Sequence, residues 1–188
     1  MNLIRNFEDG LTRCGWLNDD LIYRDYHDQE WGTETKGQAA LFEGICLEGF
    51  QAGLSWLTIL KRREGFRNAF HGFDVQLVAQ MSESDVDRLM QDSAIIRNRA
   101  KINSAIKNAR VVLEREIDLT ELLWSFAPEV SLTPAEGFAW KATSAESDAL
   151  SKELRRLGFS FVGSTTMYAL MQSTGMIQDH APGCFRRP

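Results

Sequence analysis

Several features that would mark other protein classes are scarce in this chain. It holds 3 cysteines and 4 prolines in 188 residues, too few thiols for a disulfide scaffold and too little proline for a low-complexity chain. Its longest uninterrupted apolar run is five residues, Met167 to Met171, against the ~18 that a membrane span needs. In MNLIRNFEDG a basic residue is followed by no apolar stretch of about 7 to 15 residues, so no secretory signal is expected and the cytoplasm is the expected setting. Internal repeats, low-complexity tracts and Pro/Gly/Ser linkers are missing, and the length suits one domain or two intimate lobes. Positive charge is short as well: 21 Lys and Arg face 26 Asp and Glu, a net charge of −5. Taken as an average, that charge argues against a polyanionic partner.

What is present is helical periodicity. Apolar spacing predicts helices over about 38–52, 55–69, 83–92, 97–115, 118–126 and 164–175. In KATSAESDALSKELRRLGF, Thr143 and Glu146 have capping-box spacing, Leu150, Leu154 and Leu157 follow on one face, and Gly158 sits where a helix stops. The fold class expected is all-α, with 127–142 as the longest irregular connection. Residues 1–10 show no periodic pattern and read as a frayed extension or a partly docked arm.

The charge is uneven. From Arg97 to Arg110 the chain carries Arg97, Arg99, Lys101, Lys107 and Arg110 and no acid, which leaves −10 for the rest. A second excess lies in KRREGFR, where Lys61, Arg62, Arg63 and Arg67 meet only Glu64. Polyanion binding needs a local basic face rather than a basic average. A solvated helix surface would give the same composition. The position of Arg97-Asn98-Arg99 at a predicted helix start, after a short turn at Asp92 to Ala94, favours nucleic acid, because a helix N-terminus offers free N–H groups to phosphate.

Four of the six cysteines and histidines fall near the chain's ends. Cys14 and His27 are separated by twelve residues, His180 and Cys184 by three, and 152 residues lie between the two pairs. Two thiolates and two imidazoles make a closed tetrahedral zinc site with no open catalytic position. Such a site would be structural, fastening the N-terminal segment to the C-terminal one. Two thiols and two imidazoles at unrelated positions would give the same composition. Cys46 reads as a small buried hydrophobe, and His71, beside Gly72, as a helix C-terminal cap.

In QAALFEGICLEGFQAGLSW, residues 41, 45, 48 and 52 share one helix face, and three of them are Leu41, Ile45 and Ala52. The other is Glu48, and a carboxylate on an apolar stripe is costly unless it is paired or hydrogen-bonded. Snorkelling to water at the stripe's edge is the plain explanation. Gly49 and Gly53 nevertheless clear side-chain bulk around it, and Trp16, Tyr23, Tyr26, Trp31 and Trp56 all lie in the first third of the chain. Aromatic faces and one carboxylate would serve a flat cationic ligand.

The segments RCGW (13–16), YHDQEWG (26–32), ICLEGFQAGLSW (45–56), SAIIRNRAKI (93–102), SDALSKELRRLGFSFVG (147–163) and HAPGC (180–184) resemble the type I DNA-3-methyladenine glycosylases. The likeness is collinear along the chain and leaves only residues 1–10 outside it. It implies a helix-hairpin-helix glycosylase fold over 11–188, with a hairpin lobe at about 38–126 and a lobe of the termini and C-terminal helices joined by one structural zinc. The family's zinc ligands fall on Cys14, His27, His180 and Cys184, and its pocket carboxylate falls on Glu48. The base-contacting aromatics fall on Tyr26, Trp56, Trp16 and Tyr23, and the DNA wedge on Gly53 and Leu54. The hairpin falls on Asp92 to Lys101, where Arg97, Arg99 and Lys101 would contact phosphate. Members commonly place Gly where this chain has Ala94, which bears on the phosphate geometry.

The activity implied is monofunctional hydrolysis of the N-glycosidic bond of 3-methyladenine in double-stranded alkylated DNA by a monomer, releasing the free base. No lysine lies in the pocket motifs to form a Schiff base. Two alternatives are a noncatalytic alkylated-DNA-binding protein of the same fold and a small-molecule purine-binding protein.

Overall fold

The computed structural model describes residues 2–188. A short hairpin, β1 (Ile4–Asn6) and β2 (Thr12–Cys14), pairs antiparallel with Ile4 opposite Cys14. Ten α-helices follow among the described residues: α1 (Leu21–Gln29), α2 (Gln38–Gln51), α3 (Trp56–Leu60), α4 (Arg63–Ala69), α5 (Val75–Ala79), α6 (Glu83–Leu89), α7 (Arg99–Glu114), α8 (Leu119–Trp124), α9 (Ala145–Leu157) and α10 (Ser164–Ser173). The chain is mostly helical, as the periodicity indicates, and the segment from 127 to 142 carries no helix.

The differences from the sequence reading have local causes. The N-terminal arm is docked as β1, whose three residues are all exposed and so show no alternation to read. Helix α1 was not anticipated because only Tyr26 and His27 on it are buried while Leu21 and Ile22 face outward. It forms because the Asp20 carboxylate accepts from the Ile22 N–H at 3.1 Å, capping the helix start. The segment predicted as one helix over 55–69 breaks into α3 and α4 at Arg62, where φ is −111° and ψ 3°. The cap of α9 is Ser144 rather than Thr143: Ser144 Oγ accepts from Ser147 N–H, and Ser147 Oγ accepts from Ser144 N–H at 2.8 Å. Gly158 ends α9 in the left-handed conformation, as its position suggests.

Two apolar clusters organise the molecule. The larger gathers α2, α4, α5, α7, α9 and α10, with α2 at its centre. Helix α2 is buried over far more than one stripe, since Phe42, Cys46, Leu47 and Phe50 are covered as well as Leu41 and Ile45. The smaller cluster joins the two ends of the chain to residues from its middle: Cys14, Tyr26, Trp31, Leu60, Phe138, Ala181 and Cys184, with Trp16, Tyr23, Trp56 and Trp140 packed against it. Trp56 touches both clusters, which places the seam between them beside α2.

Helices α6 and α7, with the turn between them, span the segment on which the resemblance places the hairpin. Asp92 accepts from the Ala94 N–H at 2.8 Å and Asn98 caps α7 by accepting from Lys101 N–H. Ala94 is not among the residues with positive φ, so this turn makes no demand for glycine there. Room for its methyl comes from Gly65, where a Cβ would stand 2.8 Å from the Ala94 Cβ.

Candidate active site

The C-terminal half of α2 projects Glu48 into a cavity of about 420 Å³ at the seam of the two clusters, within the ~300–1,000 Å³ typical of small-molecule sites. Tyr26 from α1 and Trp56 from the head of α3 line it beside Glu48, with ring centroids 5.6 Å apart. Trp16 and Tyr23 stand together on another wall, 5.0 Å centroid to centroid. The structure thus brings together the carboxylate and all five aromatics singled out in the sequence, Trp31 included.

Glu48 is only 4% exposed, and its Oε2 has no hydrogen-bond partner among the described residues. Burial pushes its carboxyl from 4.5 up to about 8. The indole N–H of Trp56 is likewise buried and unpartnered. An unpartnered carboxyl oxygen and an unpartnered indole N–H in one aromatic cavity are two polar atoms that a polar ligand would satisfy. Burial, and then the nearby Glu48 charge, push the Tyr26 hydroxyl well above its ordinary value, so the phenol stays neutral.

Behind this cavity wall the two end segments converge. Cys14, His27, His180 and Cys184 are all buried, and one donor atom from each lies within 4.8 Å of the others. Cys184 Sγ is 3.4 Å from His27 Nε2 and 3.7 Å from His180 Nδ1, and Cys14 Sγ is 3.8 Å from His180 Nδ1. Bonds of about 2.3 Å to sulfur and 2.0 Å to nitrogen at tetrahedral angles put S and N about 3.5 Å apart, so the set fits a metal ion. The far nitrogen of each ring is already engaged: His27 Nδ1 with Asp28 at 2.7 Å and His180 Nε2 with the Trp31 carbonyl at 3.1 Å. That leaves His27 Nε2 and His180 Nδ1 as the free lone pairs facing the centre. Arg13, itself buried, grips Asp28 through Nε and Nη2. Against the opposing effect of burial, Arg13 and His27 hold Asp28 below the usual carboxylate range. Cys46 and His71 lie outside this set.

The basic run behaves differently in space than in sequence. Lys101 is 7% exposed, and its amine donates to the carbonyls of Phe50 at 2.8 Å and Ala52 at 2.6 Å. It therefore caps the end of α2 and is not presented to a phosphate, which corrects its assignment as a DNA contact. Arg99 is exposed but paired with Glu83 and Asp87 of α6. Arg110 donates to the Ala79 and Met81 carbonyls. In the second basic segment, Lys61 pairs with Asp20, Arg63 with Glu30, and Arg67 with Glu43 and Glu64. Arg97 is exposed and has no ion-pair partner among the described residues. Leu54, 39% exposed, rises from the turn after α2, where Gly53 has a φ of +85° that an L side chain rarely adopts. Gly49 admits Phe161 of the α9–α10 connection rather than a ligand, since a Cβ there would meet the Phe161 Cβ at 3.3 Å.

Sequence reasoning also missed part of the wall. Gln172, Trp140 and Lys141 line the cavity, and Lys141 comes from outside the pocket motifs, which themselves hold no lysine. Lys141 is exposed, however, whereas a lysine nucleophile needs desolvation or a neighbouring cation.

A family model described as methyladenine glycosylase matches residues 16–187. The chain is 48% identical over 180 residues to DNA-3-methyladenine glycosylase 1 of Escherichia coli, covering 93% of this chain and 96% of that protein. Its fold matches a crystal structure of a 3-methyladenine DNA glycosylase I with a TM-score of 0.88 at 44% identity, covering 94% of this chain and all of that one. A structure of the Staphylococcus aureus 3-methyladenine DNA glycosylase I, solved for its recognition of 3-methyladenine, aligns with a TM-score of 0.83 at 32% identity over 91% of this chain and 94% of that one. With its buried carboxylate in an aromatic cavity and its termini gathered at a Cys2His2 cluster, the chain belongs to the methyladenine glycosylase family.

Proposed function

We propose that this protein excises 3-methyladenine from alkylated double-stranded DNA by hydrolysing its N-glycosidic bond, and that Glu48 is the carboxylate that receives the flipped base. The observation that carries the assignment of Glu48 is its burial at an aromatic cavity with one oxygen unpartnered. Alkylation at N3 makes the adenine cationic, so it leaves as a neutral base without strong acid catalysis. Flipping is cheapest for a lesion that pairs and stacks poorly, and Leu54 fills the gap left in the duplex. Tyr26 and Trp56 stack on the base, with Trp16 and Tyr23 completing the enclosure. A cation in the cavity favours the charged form of Glu48, which then accepts hydrogen bonds from the purine edge. The C1′–N9 bond breaks with its electron pair going to the base, the sugar passes through an oxocarbenium-like state, and water adds at C1′ while its proton leaves to solvent. Glu48 thereby orients the leaving base and offsets positive charge near the reacting carbon.

The metal for which the donor set is best suited is zinc, held by Cys14, His27, His180 and Cys184. With four protein ligands it supplies cross-linking and no open coordination position. The protein acts as a cytoplasmic monomer in this reading, with 11–188 a single two-lobed domain and residues 1–10 its extension; no helix of the described residues is long and apolar enough to cross a membrane. Incubation with methylated duplex and chromatography of the supernatant tests the activity: free 3-methyladenine is expected, and lesion binding without its release would instead show a noncatalytic binder.

A further inference from the structure

The segment between α8 and α9 has no helix, yet it is held firmly where it meets the cavity. Gln178 N–H donates to the Ser131 carbonyl at 2.8 Å and Thr133 N–H to the Gln178 carbonyl at 3.1 Å, an isolated parallel bridge to the segment that leads into His180. The indole N–H of Trp140 donates to the Asp179 carbonyl at 3.1 Å. Asp179 is itself buried, its carboxylate accepting from Tyr168 and Gln172 at 2.7 Å each and from Thr133. Phe138 lies buried beneath the Arg187 guanidinium and meets Trp140 edge-on at 5.6 Å. With its only polar atom tied to Asp179, the half-buried indole gives the cavity an apolar π-surface and no hydrogen-bond donor.

We propose that Trp140 and Lys141 form the mouth of the base site, Trp140 as a further base-selecting aromatic and Lys141 as the cation that receives a DNA phosphate beside the flipped nucleotide. The inference rests on the reading of this cavity as the base site. An aromatic surface without a donor suits a cationic methylated purine, which is attracted to π-electrons and needs no donor from that side. A lysine deep in the cavity would repel such a base. At the exposed rim, Lys141 is instead free to meet the backbone of a nucleotide whose base enters the cavity. Its charge has no ion-pair partner among the described residues, whereas the cations of 97–110 and 61–67 are largely engaged within the protein.

The test compares wild type with W140A, W140F and K141A, all checked for retained helicity by circular dichroism. Three quantities are read: affinity for free 3-methyladenine, release of base from methylated duplex, and the slope of duplex affinity against salt. W140A should bind the free base roughly tenfold more weakly, since stacking one base on an aromatic accounts for about that factor or more, while W140F should retain most of the affinity. K141A should bind the free base as wild type does, yet bind duplex more weakly with a log–log salt slope shallower by about 0.9. Wild-type release of 3-methyladenine together with unchanged base affinity in W140A, or an unchanged salt slope in K141A, would overturn the proposal for that residue while leaving the glycosylase reading intact. Absence of release by the wild type would overturn both. If W140A does not fold, W140F and K141A decide: a tenfold loss of base affinity in the folded W140F, which keeps an aromatic surface, would overturn the stacking role.

Discussion

Glu48 is held against its own preference. Burial lifts its carboxyl from 4.5 to about 8, so between those pH values the native protein keeps a proton that the unfolded chain has released. Stability therefore falls as pH rises through that window, and the loss is complete above about pH 8. E48Q has no such titration. Its melting temperature should match that of wild type below pH 4.5 and exceed it most above pH 8, at about 2–4 °C for each kcal/mol recovered. The same variant should release 3-methyladenine some ten to a hundredfold more slowly, because a hydrogen bond to a charged group contributes about 1.5–3 kcal/mol. A single-turnover assay beside a melting series across pH checks both halves, and unchanged release would remove Glu48 from the reaction. Leu54 is the opposite kind of residue, exposed and stabilising little. L54A should melt within a degree or two of wild type, since surface changes stay within about 0.5 kcal/mol. It should nevertheless slow release from duplex by about tenfold and leave single-stranded substrate unaffected, because only the duplex has a gap to fill.

Among the elements, α7 serves two purposes that its sequence blends into one. A run of five cations without an acid suggests a DNA-facing helix, but pairing is decided in space. The acids that neutralise Arg99 are Glu83 and Asp87, on α6, and Lys101 runs inward to the last carbonyls of α2. Burial pulls its amine down in pKa, and the amine fixes the point where α2 gives way to the Leu54 turn. K101M should leave those carbonyls short of a donor and cost about 1–3 kcal/mol, read as a lowered melting temperature with an unchanged salt slope for duplex binding. R97A should do the reverse, with stability within about 0.5 kcal/mol and a slope shallower by about 0.9. Elements with a buried face and regular spacing were legible in sequence: α2, α7, α9 and α10 fall within a few residues of where periodicity places them. Helix α1, with its apolar residues turned outward, and the Trp140 wall, on a segment with no period, left no such signal. Glu48 stood out because a charge interrupts an apolar stripe in a region dense with aromatics, whereas Tyr26 and Trp56 are distinguished from the other aromatics there only by the family resemblance.

At the scale of the whole molecule, the aromatic cavity and the Cys2His2 cluster share a wall. Trp16 and Trp31 line the cavity and also pack on the ligand rings, Trp16 on His27 at 5.4 Å and Trp31 on His180 at 4.7 Å. In the proposed reading the cluster does more than keep the ends from fraying, since the two rings it holds support the side of the cavity where a base would stack. Spacing alone left open whether the four ligands meet; their convergence depends on how 152 intervening residues fold, which no local pattern records. Cross-link arithmetic for a loop of this order gives about 5 kcal/mol of stabilisation. At about 2–4 °C per kcal/mol, stripping the ion with a chelator should lower the melting temperature by roughly 10–20 °C. Amide exchange should rise first in β1, β2 and α1, where the smaller cluster is anchored, and later in the larger cluster around α2. Zinc added back should restore both, and elemental analysis should find one ion per chain. C46A, which alters the one buried thiol outside the cluster, should keep that ion; C14S and C184S should lose it along with affinity for the free base. Retention of both by C14S and C184S would mean that the aromatic wall stands without the clasp.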